Sequence, residues 1–139
     1  MYQYTGNVAI LPRMNLLTKT WIESQKQDGW VGTGDRWGAW DIWEPKYTRL
    51  GPLEHYALTG DQASITGAKK IGNLISDNFG PGKRDLMRTG NWVMGSGSIL
   101  EPMTYLYRFS GDPKYQQSCS NILKAYEGET GPKIIVPSC

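Results

Sequence analysis

The chain has 139 residues, enough for one domain with a modest core. Its 15 Lys and Arg against 13 Asp and Glu leave a formal charge of only +2, and no basic run exceeds the pairs Lys69-Lys70 and Lys83-Arg84. That scatter lacks the clustered positive face a nucleic acid requires, and no apolar stretch approaches membrane-spanning length.

The elements read as helices throughout. The first runs from about Arg13 to Lys26 after Pro12, with Met14, Leu17 and Trp21 at i, i+3 and i+7. Asp28-Gly29 ends it, and a loop from Trp30 to Trp40 follows, rich in glycine. The second helix starts near Asp41 or Glu44, and its stripe is Trp43, Tyr47, Leu50, Glu54 and Ala57, widened by Leu53. Pro52 falls inside that pattern and predicts a kink or an N-terminal limit.

Thr59-Gly60-Asp61 is the clearest local signal. Gly60 can close the second helix, and Asp61 can cap the third by accepting from free N–H groups. Ala68, Ile71, Leu74 and Ile75 form the third stripe, which reaches Phe79. Residues 80–97 make the longest irregular stretch, with Trp92 in its middle. Ser98-Ile99-Leu100-Glu101 then has the form of a capping box. The fourth helix follows with Ile99, Met103, Leu106 and Ser110 in its stripe. Asp112 and Pro113 open a fifth, lined by Tyr115, Cys119, Ile122 and Tyr126. Residues 128–139 read as a frayed or extended tail.

The punctuation repeats. Leu58-Thr59-Gly60-Asp61 and Phe109-Ser110-Gly111-Asp112 recur with a period of 51 residues, each between an aromatic-rich helix and an amphipathic one. A helical hairpin returning at such a period marks a stacked or toroidal array. Arrays of this kind collect binding residues on one rim of loops.

Several motifs fall away on inspection. Gly80-Pro81-Gly82-Lys83-Arg84-Asp85 lacks the GxxxxGK[ST] pattern and follows a helix, so it is no phosphate loop. Cys119 and Cys139 have no CxxC or Cys/His spacing, and two free thiols are expected rather than a disulfide. His55, the single histidine, sits beside an apolar stripe and reads as a packed or surface side chain rather than a catalyst. Residues 1–13 show no signal peptide, which leaves the location cytoplasmic or unknown.

What remains is aromatic and acidic. The chain carries 6 Trp and 8 Tyr. Trp37, Trp40, Trp43 and Trp92 all fall on loops or helix starts, where a ring can stack on the apolar face of a sugar; each could equally be core material. Asp41, Glu44 and Glu101 stand beside aromatic residues near helix starts. Sugar hydroxyl binding or acid/base work is one role for them; capping and dipole compensation is the plainer one, and for Glu101 the favoured one.

Beyond these patterns, several runs resemble family 127 glycoside hydrolases, whose founding activity is β-L-arabinofuranosidase. One is Ile22 to Thr33 with its Asp28-Gly29-Trp30 core, and another runs from Trp40-Asp41-Ile42-Trp43 to Thr59-Gly60-Asp61. The most specific are Phe79 to Asp85 and Ser98 to Arg108. The resemblance covers most of 16–133. It implies an all-α fold in which about five helices form helical hairpins, part of an (α/α)6 toroid. It further implies a rim that binds a plant-derived or other pentose-containing glycan. Trp37, Trp40, Asp41, Trp43, Trp92, Ser96 and Glu101 are the substrate-binding candidates. Family members place histidines in the pocket where this chain has Pro45 or Tyr47 and Ser96.

The family's zinc, cysteine nucleophile and glutamate belong to a sequence region with no match here, so no catalytic or metal residue is assigned and no cofactor is expected in this chain. Twelve helices of about 11 residues need well over ~150 residues with their loops, so 1–139 reads as a single partial toroid domain. Its uncovered helix faces predict self-association. Two other readings remain open: a non-catalytic helical carbohydrate-binding module and a helical-repeat interaction protein.

Overall fold

The computed structural model describes residues 2–32, 36–37, 43–89 and 93–135, with the side chains of Trp43, Glu44, Pro45, Tyr47, Val93 and Met94 outside that description. Among the described residues the fold is all-helical; the one extended pairing is an isolated bridge between Phe79 and Arg84. A short α1 (Tyr2–Thr5) and a 3-10 turn (Val8–Ile10) lead into α2 (Leu11–Ser24). Then come α3 (Trp43–Thr59), α4 (Gln62–Asn78), a 3-10 turn (Leu86–Arg88), α5 (Val93–Gly97), α6 (Leu100–Ser110) and α7 (Pro113–Glu127).

The 51-residue repeat is two helical hairpins, α3–α4 and α6–α7, closed by the same device. Gly60 and Gly111 take left-handed backbone (φ 71° and 67°), which only glycine adopts without strain, and each N–H donates to the carbonyl four residues back, at Tyr56 and Tyr107. The hydroxyls of Thr59 and Ser110 accept from the N–H of Asp61 and Asp112. Those aspartates cap the next helix: Asp61 accepts from Ala63 and Ser64, and Asp112 from Lys114. Four residues thus end one helix, turn the chain and start the next.

The hairpins lie side by side, α3 against α6 and α4 against α7, with α4 also touching α6. Between them runs a single core: Leu53, Ile65, Ala68, Ile71, Ile75, Ile99, Met103, Leu106, Tyr115 and Ile122 are all buried. Fully burying such side chains stabilises the fold by about 1.5–3 kcal/mol each.

Two local expectations change. Ser98 does not cap α6: its hydroxyl donates to the carbonyl of Gly95, and Ile99 takes the cap position with no side-chain bond. The reason is α5, a short helix inside the stretch expected to be irregular, whose last turn offers Ser98 a carbonyl first. Pro52 sets no limit either, since α3 runs through it from Trp43 to Thr59. Its ring is buried beside Leu53, and that packing offsets the roughly 3 kcal/mol that an interior proline costs a helix.

Candidate functional site

The site grows out of helix periodicity. On α6, Ile99, Met103 and Leu106 point into the core, so the opposite stripe must carry the polar residues. Glu101, Thr104, Tyr105 and Arg108, at i, i+3, i+4 and i+7, all line one open groove of about 570 Å³. Its other wall comes from Lys46 in the first turn of α3, Gly97 and Ser98 at the α5–α6 junction, and Tyr126 near the end of α7. The two repeat-related helices therefore begin at the same edge of the molecule.

The Glu101 carboxylate lies 3.5 Å from the Lys46 ammonium, with the acid side chain 53% exposed and the lysine mostly covered. An ion pair this wet contributes little to stability, but it holds an acceptor and a donor at the groove's mouth. Tyr105 lies parallel to Phe109 with ring centroids 6.0 Å apart, and Phe109 meets Tyr56 edge-on at 5.6 Å. Burial raises the pKa of the Tyr126 phenol above its ordinary range. A Cβ added at Gly97 would run into that hydroxyl, so glycine here is what lets the tyrosine reach the wall.

Of the seven substrate-binding candidates, Glu101 alone is seen lining the groove. Ser96 is buried one residue before the Gly97 wall, donating to the Thr89 carbonyl at 2.5 Å and tying α5 to the 86–88 turn. Trp37 is half-buried elsewhere, edge-on to Trp30 (5.8 Å) and Phe79 (4.8 Å). Arg36 rides over the Trp30 ring at 5.6 Å and pairs with Asp28. Trp40, Asp41 and Trp92 lie outside the described residues, as does the side chain of Trp43. Lys46, Tyr105, Arg108 and Tyr126 were not singled out from the sequence. For Tyr105 and Arg108 the signal that could have found them is the polar stripe of α6, complementary to its apolar one; Lys46 on α3 and Tyr126 on α7 join the groove only through tertiary packing.

The structure also places the residues read as bland. His55 is buried, with Nδ1 2.8 Å from the Ser64 hydroxyl and Nε2 2.8 Å from Asn15 Oδ1. Both ring nitrogens are used in joining α3 to α4 and α2, which makes it a packed histidine. Lys83 donates to the Ser76 carbonyl, so the Gly80–Asp85 loop binds the end of α4. A smaller cleft beside it, about 270 Å³, is walled by Ile75, Phe79, Leu86 and Ile122. Cys119 is a free thiol, half-buried beside Thr104, and burial raises its pKa; Cys139 lies outside the described residues. Among the described residues no three His, Cys, Asp or Glu side chains gather to hold a metal. Among the described residues no helix is long and apolar enough to cross a membrane.

One buried group was invisible in the sequence. Arg49, one turn beyond Lys46 on α3, is wholly buried, and one terminal nitrogen donates to the Met103 sulfur at 3.3 Å. Its Nε and other terminal nitrogen have no partner. Burial pulls the guanidinium down to about 9. Comparison with family models, with curated proteins and with solved structures gives no match for this chain.

Proposed function

We propose that the chain supplies part of the sugar-binding rim of an α/α-toroid glycoside hydrolase, and that by itself it binds a pentose-containing glycan weakly without cleaving it. The observation that carries this reading is the groove where α3 and α6 begin, which gathers Glu101, Lys46, Arg108, Tyr105 and Tyr126. Carboxylate oxygens accept hydrogen bonds from ring hydroxyls, ammonium and guanidinium groups donate to them, and tyrosine rings offer apolar faces with a polar tip. The resemblance to family 127 enzymes adds the substrate class, pentofuranosides. Paired hairpins at a 51-residue period support the toroidal half of the proposal.

Cleavage is not part of the reading. Glycoside hydrolysis needs two cooperating groups flanking the glycosidic carbon, and among the described residues Glu101 is the one carboxylate that lines the groove. The test combines backbone-amide NMR during titration with an arabinose oligosaccharide and a turnover assay on nitrophenyl arabinofuranosides. Shifts confined to the first turn of α3 around Lys46, residues 97–108 and the end of α7, with no nitrophenol released, are the expected result. Shifts centred on the cleft around Ile75 and Phe79 would reject this groove, and turnover would reject the inactivity claim.

A further inference from the structure

Helix α2 is the part of the molecule that the carbohydrate reading leaves unused. None of its 14 residues is buried, although it carries two leucines on its outer side: Leu16 is 64% and Leu17 71% exposed. At 100° per residue, Arg13, Leu16, Leu17, Thr20, Glu23 and Ser24 share one outward sector, and all six are exposed. The inward sector holds Thr18, Ile22 and Gln25, the last donating to the Gly67 carbonyl of α4. Beside Leu17, a groove of about 530 Å³ opens between α2 and α3, lined by Met14, Trp21, Gly51 and Pro52. Exposed leucines beside an apolar groove on one short element are a knob and a hole within reach of each other.

We propose that this face of α2 is a homodimer interface, in which two copies of the chain pack the outward face of α2 against itself in antiparallel orientation, about a two-fold axis that crosses that face at the level of residue 18. The charges choose the occupant. In an antiparallel pairing centred on residue 18, positions equidistant from it meet: Arg13 faces Glu23 of the second copy, and Leu16 faces Thr20. Both ion pairs form at once because the axis makes the interface self-complementary. A parallel pairing would set Arg13 against Arg13 and Glu23 against Glu23. Within one copy, Glu23 makes a long, exposed contact to Lys19 at 3.8 Å, and its side chain is 63% exposed, which leaves the carboxylate accessible to a second partner. Arg13 lies at the opposite end of the same face. Leu17 flanks the α2–α3 groove, whose glycine and proline leave room for a leucine from the other copy.

Sedimentation equilibrium of the full chain over a concentration series tests this. The unaltered chain is expected to pass from monomer to dimer. Arg13→Glu and Glu23→Arg should each weaken the dimer roughly tenfold, because like charges then meet across the axis. The double variant restores opposite charges and should return to within about threefold of the original. Leu16→Glu should abolish the dimer while the circular dichroism and melting of the monomer stay as they were, since the side chain is exposed there. A chain that remains monomeric throughout the series overturns the proposal. So does a double variant no tighter than the two single ones, or an assembly larger than two, which an isologous face cannot build.

Discussion

Helices α2 and α4 look alike in sequence and differ in fate. Both carry an apolar stripe at helical spacing, Met14, Leu17 and Trp21 in one, Ala68, Ile71 and Ile75 in the other. Yet eight residues of α4 are buried and none of α2. Position accounts for the difference. α4 is enclosed by α2, α3, α6 and α7, whereas α2 rests on α3, α4 and the short 3-10 turn before it and shows its other side to solvent. A stripe thus records that a helix has something to cover; how much of it is covered depends on how many neighbours the topology supplies.

The contrast can be broken first by truncation. Ile71→Ala, at 1% exposure, should cost about 2–5 kcal/mol of unfolding free energy. Leu17→Ala should stay within about 0.5 kcal/mol in the monomer. Urea unfolding below the concentration of any self-association measures both, and equal losses would erase the distinction between edge and core.

Arg49 sharpens it from inside the core. A wholly buried guanidinium with two unpartnered nitrogens is a desolvated charge without compensation, so Arg49→Met should stabilise the fold by about 1–4 kcal/mol. Burial penalises the charged form, so the penalty is complete below pH 9 and fades as the pH climbs toward the unfolded guanidinium's range. The advantage of the methionine variant should accordingly shrink in urea melts above pH 9. An Arg49→Met protein that melts lower than the parent at neutral pH would mean that the arginine makes contacts worth more than its desolvation.

The smallest effect concerns the start of α4. Asp61→Ala should cost about 1 kcal/mol through lost capping. The Ser64 hydroxyl, followed by the N–H groups of Ala63 and Ser64, holds the Asp61 carboxyl below its ordinary range, against the opposing pull of burial. That contribution is present above the unfolded carboxyl's pKa and is lost as pH falls through the lower folded one. The parent and the variant should therefore converge in stability below about pH 4.

The hairpins were the most legible part of the sequence, for a local reason. Gly60-Asp61 and Gly111-Asp112 specify a left-handed exit and a cap within a few residues, and no distant contact is needed to read them. Ser98 misled because a hydroxyl has several carbonyls and N–H groups in reach, and α5 was not foreseen. The groove was only partly visible. Glu101 stood out as an acid at a helix start, while Tyr105 and Arg108 join it only because α3 and α7 close walls around them. Trp37 shows the converse, a loop aromatic that the fold turned toward Trp30 and Phe79. Arg49 could not be read at all, because whether an arginine is exposed depends on helices 54 and more residues away in the chain.

The central claim, that the groove at the start of α3 and α6 binds sugar, rests most heavily on the Glu101 carboxylate. Isothermal titration of the chain and of Glu101→Gln with an arabinofuranose oligosaccharide addresses it directly. The substitution keeps the shape of the side chain, removes an ion pair worth no more than about 1 kcal/mol, and should leave the melting temperature almost unchanged. The account predicts weak saturable binding to the unaltered chain, reduced roughly tenfold or more in Glu101→Gln. Equal binding by both proteins, or no binding of any pentose or hexose by either, would contradict it.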